Sequence, residues 1–158
     1  MRRRGKTAGE FMAELQKDPA FRERQRKAAE KLRLREREYE RLFAPLLAKL
    51  SNEGANCATL HELVERCAPL SEGVVNILLL ALPEFGDARA AESVARALGA
   101  AEKPFDGRPL TECFERTSDE GLKFAVLNTI ALAHPHSIDR WLASVHGTWV
   151  EETLRRLS

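Results

Sequence analysis

Asp87-Ala-Arg-Ala-Ala-Glu-Ser-Val-Ala-Arg-Ala-Leu-Gly99 and Ser118-Asp-Glu-Gly-Leu-Lys-Phe-Ala-Val-Leu-Asn-Thr-Ile-Ala-Leu-Ala133 decide how this chain folds. Each opens on a short polar side chain able to cap a helix, then repeats Ala, Val, Leu or Ile at helical spacing. Their first residues stand 31 positions apart, and Thr148-Trp-Val-Glu-Glu-Thr-Leu-Arg-Arg-Leu157 opens a third segment 30 positions further on. Shorter helical segments with a Pro or Gly at the junction lie between them. Such a period implies helix pairs, none of which can bury its inner face alone, so that each must be covered by its neighbour.

Composition points the same way. Among 158 residues Leu and Ala occur 22 times each, Val 7 times and Ile 3 times. With so few β-branched residues, helices rather than sheets form the framework. The longest wholly apolar run, Ile77–Leu82, falls far short of the roughly 20 residues of a membrane-spanning helix. Met1-Arg2-Arg3-Arg4 has the basic start of an export signal, but no apolar stretch succeeds it, because Lys6, Glu10 and Glu14 intervene, so no secretory signal is expected. Cys57, Cys67 and Cys113 are odd in number and widely spaced, which predicts reduced thiols and a cytoplasmic location.

Working outward toward the C-terminus, Lys103–Pro109 predicts a loop, Leu110–Arg116 a short helix, and Ser118 the cap of a long, almost wholly buried one. His134-Pro135-His136 ends that helix, and two more, 137–146 and 148–157, close the chain. Toward the N-terminus, Pro83–Gly86 predicts a turn. Ser71 caps a helix reaching Leu82 that is apolar nearly all round and therefore central. Ala68-Pro69-Leu70 is a break, and Thr59 with Glu62 makes a capping box.

The first 41 residues differ in kind. They hold 14 Lys/Arg against 8 Asp/Glu, a balance of +6, whereas residues 42–158 hold 11 against 16, a balance of −5. Residues 1–6 are expected to be disordered. Thr7 and Glu10 form a capping box for a short helix with Phe11, Met12 and Leu15 on one face, and Asp18-Pro19 restarts a helix that runs to about Ser51. Pro45 is expected to kink or split it near Phe43-Ala44. Ala28, Leu32, Tyr39, Leu42/Phe43, Leu46 and Leu50 give this helix a thin apolar stripe. Its charged part projects, pairs as a coiled coil or frays. The division is a basic helical arm, 1–41, ahead of a repeat domain, 42–158.

In its Pro83, Asp87, Ala91, Val94, Ala95, Ala97 and Leu98, and then its Ser118, Leu122, Ala125, Val126, Ile130 and Ala131, the chain resembles the short HEAT-like repeats of bacterial α-solenoid proteins. The resemblance covers roughly residues 70–158, with 57–68 as a leading helix, and an insertion at Ala100–Arg108 departs from it. Phe11–Leu15 and Asp18–Phe21 followed by a charged helix also resemble the front end of some uncharacterised bacterial HEAT-repeat proteins. The resemblance implies an all-α fold: a right-handed superhelix of about three helix pairs, binding a protein, and occasionally a nucleic acid, along a concave surface.

The residues themselves offer little catalytic chemistry. Cys57 and His61 stand four apart, which could place a thiol and an imidazole on one helical face. His134, His136, Asp139 and His146 could supply metal ligands by proximity in sequence. Against this, Cys67 and Cys113 read as core fillers, and a helix C-terminus by itself accounts for His134. No phosphate loop, nucleophile elbow or His-Glu-x-x-His is present. No enzyme activity, metal or cofactor is expected.

Binding is the expected role, with another protein as partner, in the manner of an adaptor, immunity protein or antitoxin. The candidate contacts are Phe105, which in its Pro/Gly-rich loop either tucks into the groove or awaits a partner, and Trp141 and Trp149, which either cap the end of the core or form a hot-spot pair. The alternative is a nucleic acid held by Arg22, Arg24, Arg26, Lys27, Lys31, Arg33, Arg35 and Arg37. A homodimer through the arm is a further possibility.

Overall fold

The computed structural model describes residues 7–157, so the expectation of disorder over residues 1–6 falls outside the described residues. Among these the chain is helical: α1 (Ala8–Leu15), α2 (Pro19–Asn52), α3 (Leu60–Cys67), α4 (Glu72–Ala81), a 3₁₀ turn (Leu82–Glu84), α5 (Ala88–Leu98), α6 (Arg108–Arg116), α7 (Glu120–Ala133), α8 (Asp139–Ser144) and α9 (Trp149–Leu157). No named strand occurs among the described residues; two isolated bridges, Leu70 with Ala101 and Asp106 with His136, are the extended pairings. The chain divides into two compact units, Met1–Leu42 and Phe43–Ser158.

The first unit holds α1 and most of α2. The capping box of α1 forms: the Glu10 amide donates to Thr7 Oγ1 (3.3 Å) and the Thr7 amide to Glu10 Oε2 (2.8 Å). Asp18 caps α2, its Oδ1 accepting from the Ala20 amide at 2.8 Å. None of the described residues of this unit is buried. The helix α2 continues into the second unit through Pro45 and is not split there. Proline there removes only the amide that would have reached the Arg41 carbonyl. Arg41 and Pro45 are exposed, so water can serve that carbonyl, while buried Leu46 and Leu50 hold the following turns. Gly54, at φ +88°, ends the run.

The second unit carries the core. Helix α5 packs against α3, α4 and α7, and α7 in turn against α5, α6 and α9, so alternate helices form a continuous layer. The α5–α7 contact is the most extensive. Ala91, Ala95 and Ala97 of α5 are at most 3% exposed, and side chains this small let the two helices come close. The Thr129 hydroxyl of α7 crosses the seam to donate to the Ala95 carbonyl at 2.6 Å.

The two central hairpins are closed alike. At α4–α5, the Leu70 amide donates to the Ala100 carbonyl (2.8 Å) and the Glu102 amide to the Leu70 carbonyl (3.0 Å). At α6–α7, the His136 amide donates to the Phe105 carbonyl and the Gly107 amide to the His136 carbonyl, both at 2.9 Å. Each clasp joins the segment entering a hairpin to the segment leaving it.

Several local expectations change. Asp119, not Ser118, caps α7, with Oδ1 accepting from the Leu122 amide at 2.8 Å; both residues suit the role, and the longer carboxylate takes it. Thr59 caps α3, but Glu62 reaches back one residue further than a capping box requires, to the Ala58 amide (2.7 Å). Helix α4 ends at Ala81, and Leu80 on it is 73% exposed. Helix α7 likewise leaves Phe124 and Leu132 half exposed. These two helices are apolar beyond the surfaces their neighbours cover.

Candidate functional site

The second unit brings Phe114 and both tryptophans together. Phe114 of α6 is buried. The Trp141 ring of α8 stands edge-on to it, with centroids 5.5 Å apart at 77°, and the Trp149 ring of α9 lies 6.2 Å away at 39°. Lys123 of α7 places its Nζ 5.7 Å from the Phe114 centroid and 3.8 Å from Glu120 Oε1. Such edge and tilted arrangements suit the ring quadrupoles, and the cation suits the ring face. Trp141 is further fixed by its indole N–H, which donates to Glu115 Oε1 at 2.9 Å.

Trp149 therefore rests on a fixed aromatic floor while 53% of its surface stays in solvent. Beside it Phe124 projects from α7, 49% exposed. Between α7 and α9 these two rings line a shallow groove of about 430 Å³ with Glu120, Thr153, Arg156 and Leu157. The rim thus carries one acidic and one basic group, and Arg156 is also paired with Glu152 on its own helix. A second groove of about 400 Å³ lies under the 3₁₀ turn, where Leu80, Pro83 and Phe85 face Pro109, Cys113 and Arg116.

Of the expected protein-binding residues, Trp149 lines the first groove and Trp141 supports it from behind, half-buried. Phe105 takes the tucked-in alternative: it is 7% exposed, because the loop that carries it is clasped to His136 and the ring turns into the core. Phe124 is the groove aromatic that the sequence expectations do not include. A signal for it exists, for it stands one helical turn from Glu120 and from Asn128 and so belongs to a polar row of α7.

The other constellations disperse. Cys57 precedes α3 rather than lying on it, and His61 Nε2 sits 3.2 Å from Glu65 Oε1. Burial, followed by Cys67 and Glu62, pushes the Cys57 thiol up; burial also raises Cys113. Neither environment favours a reactive thiolate. His134 caps α7 in the left-handed conformation at φ 45°, His136 Nδ1 is bonded to Ser137 Oγ (2.9 Å), and His146 Nδ1 lies 3.2 Å from Glu151 Oε2. Among the described residues no group of three or more His, Cys, Asp or Glu is placed to hold a metal ion, and no helix is long and apolar enough to cross a membrane.

In the first unit all eight candidate cations are exposed. Arg26 pairs with Glu23 at 2.9 Å and Lys27 approaches the same carboxylate at 3.7 Å. Arg22, Arg24, Lys31, Arg33, Arg35 and Arg37 make no ion pair among the described residues. Arg22, Arg26, Arg33 and Arg37, at spacings of 4, 7 and 4, follow one side of α2.

Fold and site define the class: an all-α protein with an aromatic groove at one end of its helical layer and a charged helix at its N-terminal side. No protein family, curated protein or solved structure matches the chain.

Proposed function

We propose that this chain is a HEAT-like α-solenoid of about three helix pairs, bacterial and cytoplasmic, that acts without catalysis by binding a segment of another protein in the α7–α9 groove. The layering of α3, α5, α7 and α9 supports the solenoid reading, since each helix leans on the next of its kind. The observation that carries the binding role is the pair of half-exposed rings, Phe124 and Trp149, facing one groove. A ring held in place by a buried neighbour loses little rotamer freedom on binding, and aromatic anchors in grooves carry much of the affinity at protein interfaces. The partner segment presents an apolar side chain to the rings, with a cation toward Glu120 and an anion toward Arg156.

The experiment is affinity capture from a lysate of the source cells with the full chain, Phe124→Glu and Leu80→Glu. A protein held by the full chain and by Leu80→Glu, but released by Phe124→Glu, supports the reading. Capture indifferent to Phe124→Glu, or no captured protein, overturns it.

The second reading is nucleic-acid binding by the arm, favoured by the six cations without an ion pair among the described residues. Its contacts would be to phosphates, so affinity would fall steeply with added salt. A gel shift at low salt decides it: retardation that is lost when Arg33 and Arg37 become Glu supports it, and no retardation removes it.

A further inference from the structure

The first unit carries a helix seam that is exposed at its centre. On α2, Phe21, Gln25, Ala28, Leu32, Arg35 and Tyr39 succeed one another at spacings of four and three, the heptad spacing of a coiled-coil seam. Ala28, Leu32 and Arg35 are exposed, Leu32 by 57%. Beside the seam run two flanking rows, Arg22, Ala29 and Glu36 on one side and Arg24, Lys31 and Glu38 on the other. Both rows pass from positive to negative along the helix. Arg22, Arg24, Glu36 and Glu38 make no ion pair among the described residues.

From this we infer that the seam is covered by the same helix of a second copy, running antiparallel and centred on Glu30. In that register Ala28 meets the partner's Leu32, and Gln25 meets the partner's Arg35. Arg22 faces the partner's Glu36 and Arg24 faces the partner's Glu38. Two-fold symmetry makes each of these pairs twice, against a single like pair, Lys31 with the partner's Lys31. A parallel pair in the same heptad register would join only Lys31 to the partner's Glu36. The antisymmetry of the flanking charges therefore selects both the occupant and its direction. Arg26, Arg33 and Arg37 lie away from the seam.

Sedimentation equilibrium on the full chain tests this at about 100 μM protein and about 20 mM salt, where screening is weak. The expected mass is twice the 17.8 kDa of one chain. Arg22→Glu with Arg24→Glu places like charges face to face and weakens association by at least about tenfold. Adding Glu36→Arg and Glu38→Arg to that variant restores it. Leu32→Glu, which alters the seam and leaves the flanking charges alone, also abolishes the dimer. Unchanged helical circular dichroism in each variant separates these losses from unfolding. A wild-type chain that stays monomeric, or a dimer indifferent to Arg22→Glu with Arg24→Glu, overturns the inference; the second result is the one a parallel pair gives.

Discussion

Replacing Thr129 by Val should destabilise the protein more than replacing it by Ser, although Val is the closer match in shape. Thr129 is fully buried on α7, and its hydroxyl donates to the Ala95 carbonyl at 2.6 Å. Ala95 lies in the last turn of α5, where carbonyls run out of helical partners. The Gly99 amide, which would serve it in a longer helix, donates instead to the Arg96 carbonyl at 3.1 Å. With Val at 129 the Ala95 carbonyl loses its donor in a buried site, at a cost of about 1–3 kcal/mol. Ser keeps the donor and loses one methyl, at a cost of about 1 kcal/mol. For a chain of this length each kcal/mol moves the melting temperature by about 2–4 °C, so Val should lower it by about 2–12 °C. Thermal and urea melts of the three proteins, followed by far-ultraviolet circular dichroism, give the order wild type, Ser, Val. A Val variant as stable as wild type would refute the reasoning, because the Ala95 carbonyl would then have another donor or no need of one.

Gly107→Ala should destabilise by about 1–3 kcal/mol through overpacking. A Cβ there would lie 2.6 Å from Ile138 Cγ2 and 2.9 Å from Pro135 Cβ, in the clasp between the two ends of the α6–α7 hairpin, and a urea titration measures the loss. Asp119→Ala should cost about 1 kcal/mol by removing the cap of α7, whereas Ser118→Ala should cost little; the same titration of the two variants checks which residue is the cap. Asp106 is held below the usual carboxylate range first by its hydrogen bonds to the Arg108 side chain. A lowered folded-state pKa contributes stability that is present above the unfolded carboxylate pKa and lost as pH falls through the folded one. Melting temperatures measured downward from pH 6 should therefore fall less steeply for Asp106→Asn than for wild type, and parallel curves would refute this.

The N-terminal caps show how far local sequence reaches. Thr7, Asp18, Ser71 and Asp87 all cap as their side chains and positions suggest, because a cap bonds to amides two or three residues away. Where two capping residues adjoin, as at Ser118 and Asp119, the sequence offers both and the folded backbone selects one. Phe105 exceeds that reach. Its burial depends on a clasp to His136, a partner 31 positions on, and a Pro/Gly-rich loop carries no mark of such a return. The aromatic site divides in the same way: Trp141 and Trp149 stand out by composition, whereas Phe114, which holds both, does not.

By itself the sequence determined the all-helical character, nearly every helix start, the charge contrast of the N-terminal segment and the spacing of the C-terminal helices. All of these rest on interactions within one or two turns of chain. The tertiary structure decided which apolar side chains are covered. Helices α4 and α7 look buried all round in sequence, yet Leu80, Phe124 and Leu132 stay about half exposed or more, because the neighbouring helices cover only part of each surface. Periodicity fixes the faces of a helix, but burial needs a second surface, supplied by residues tens of positions away.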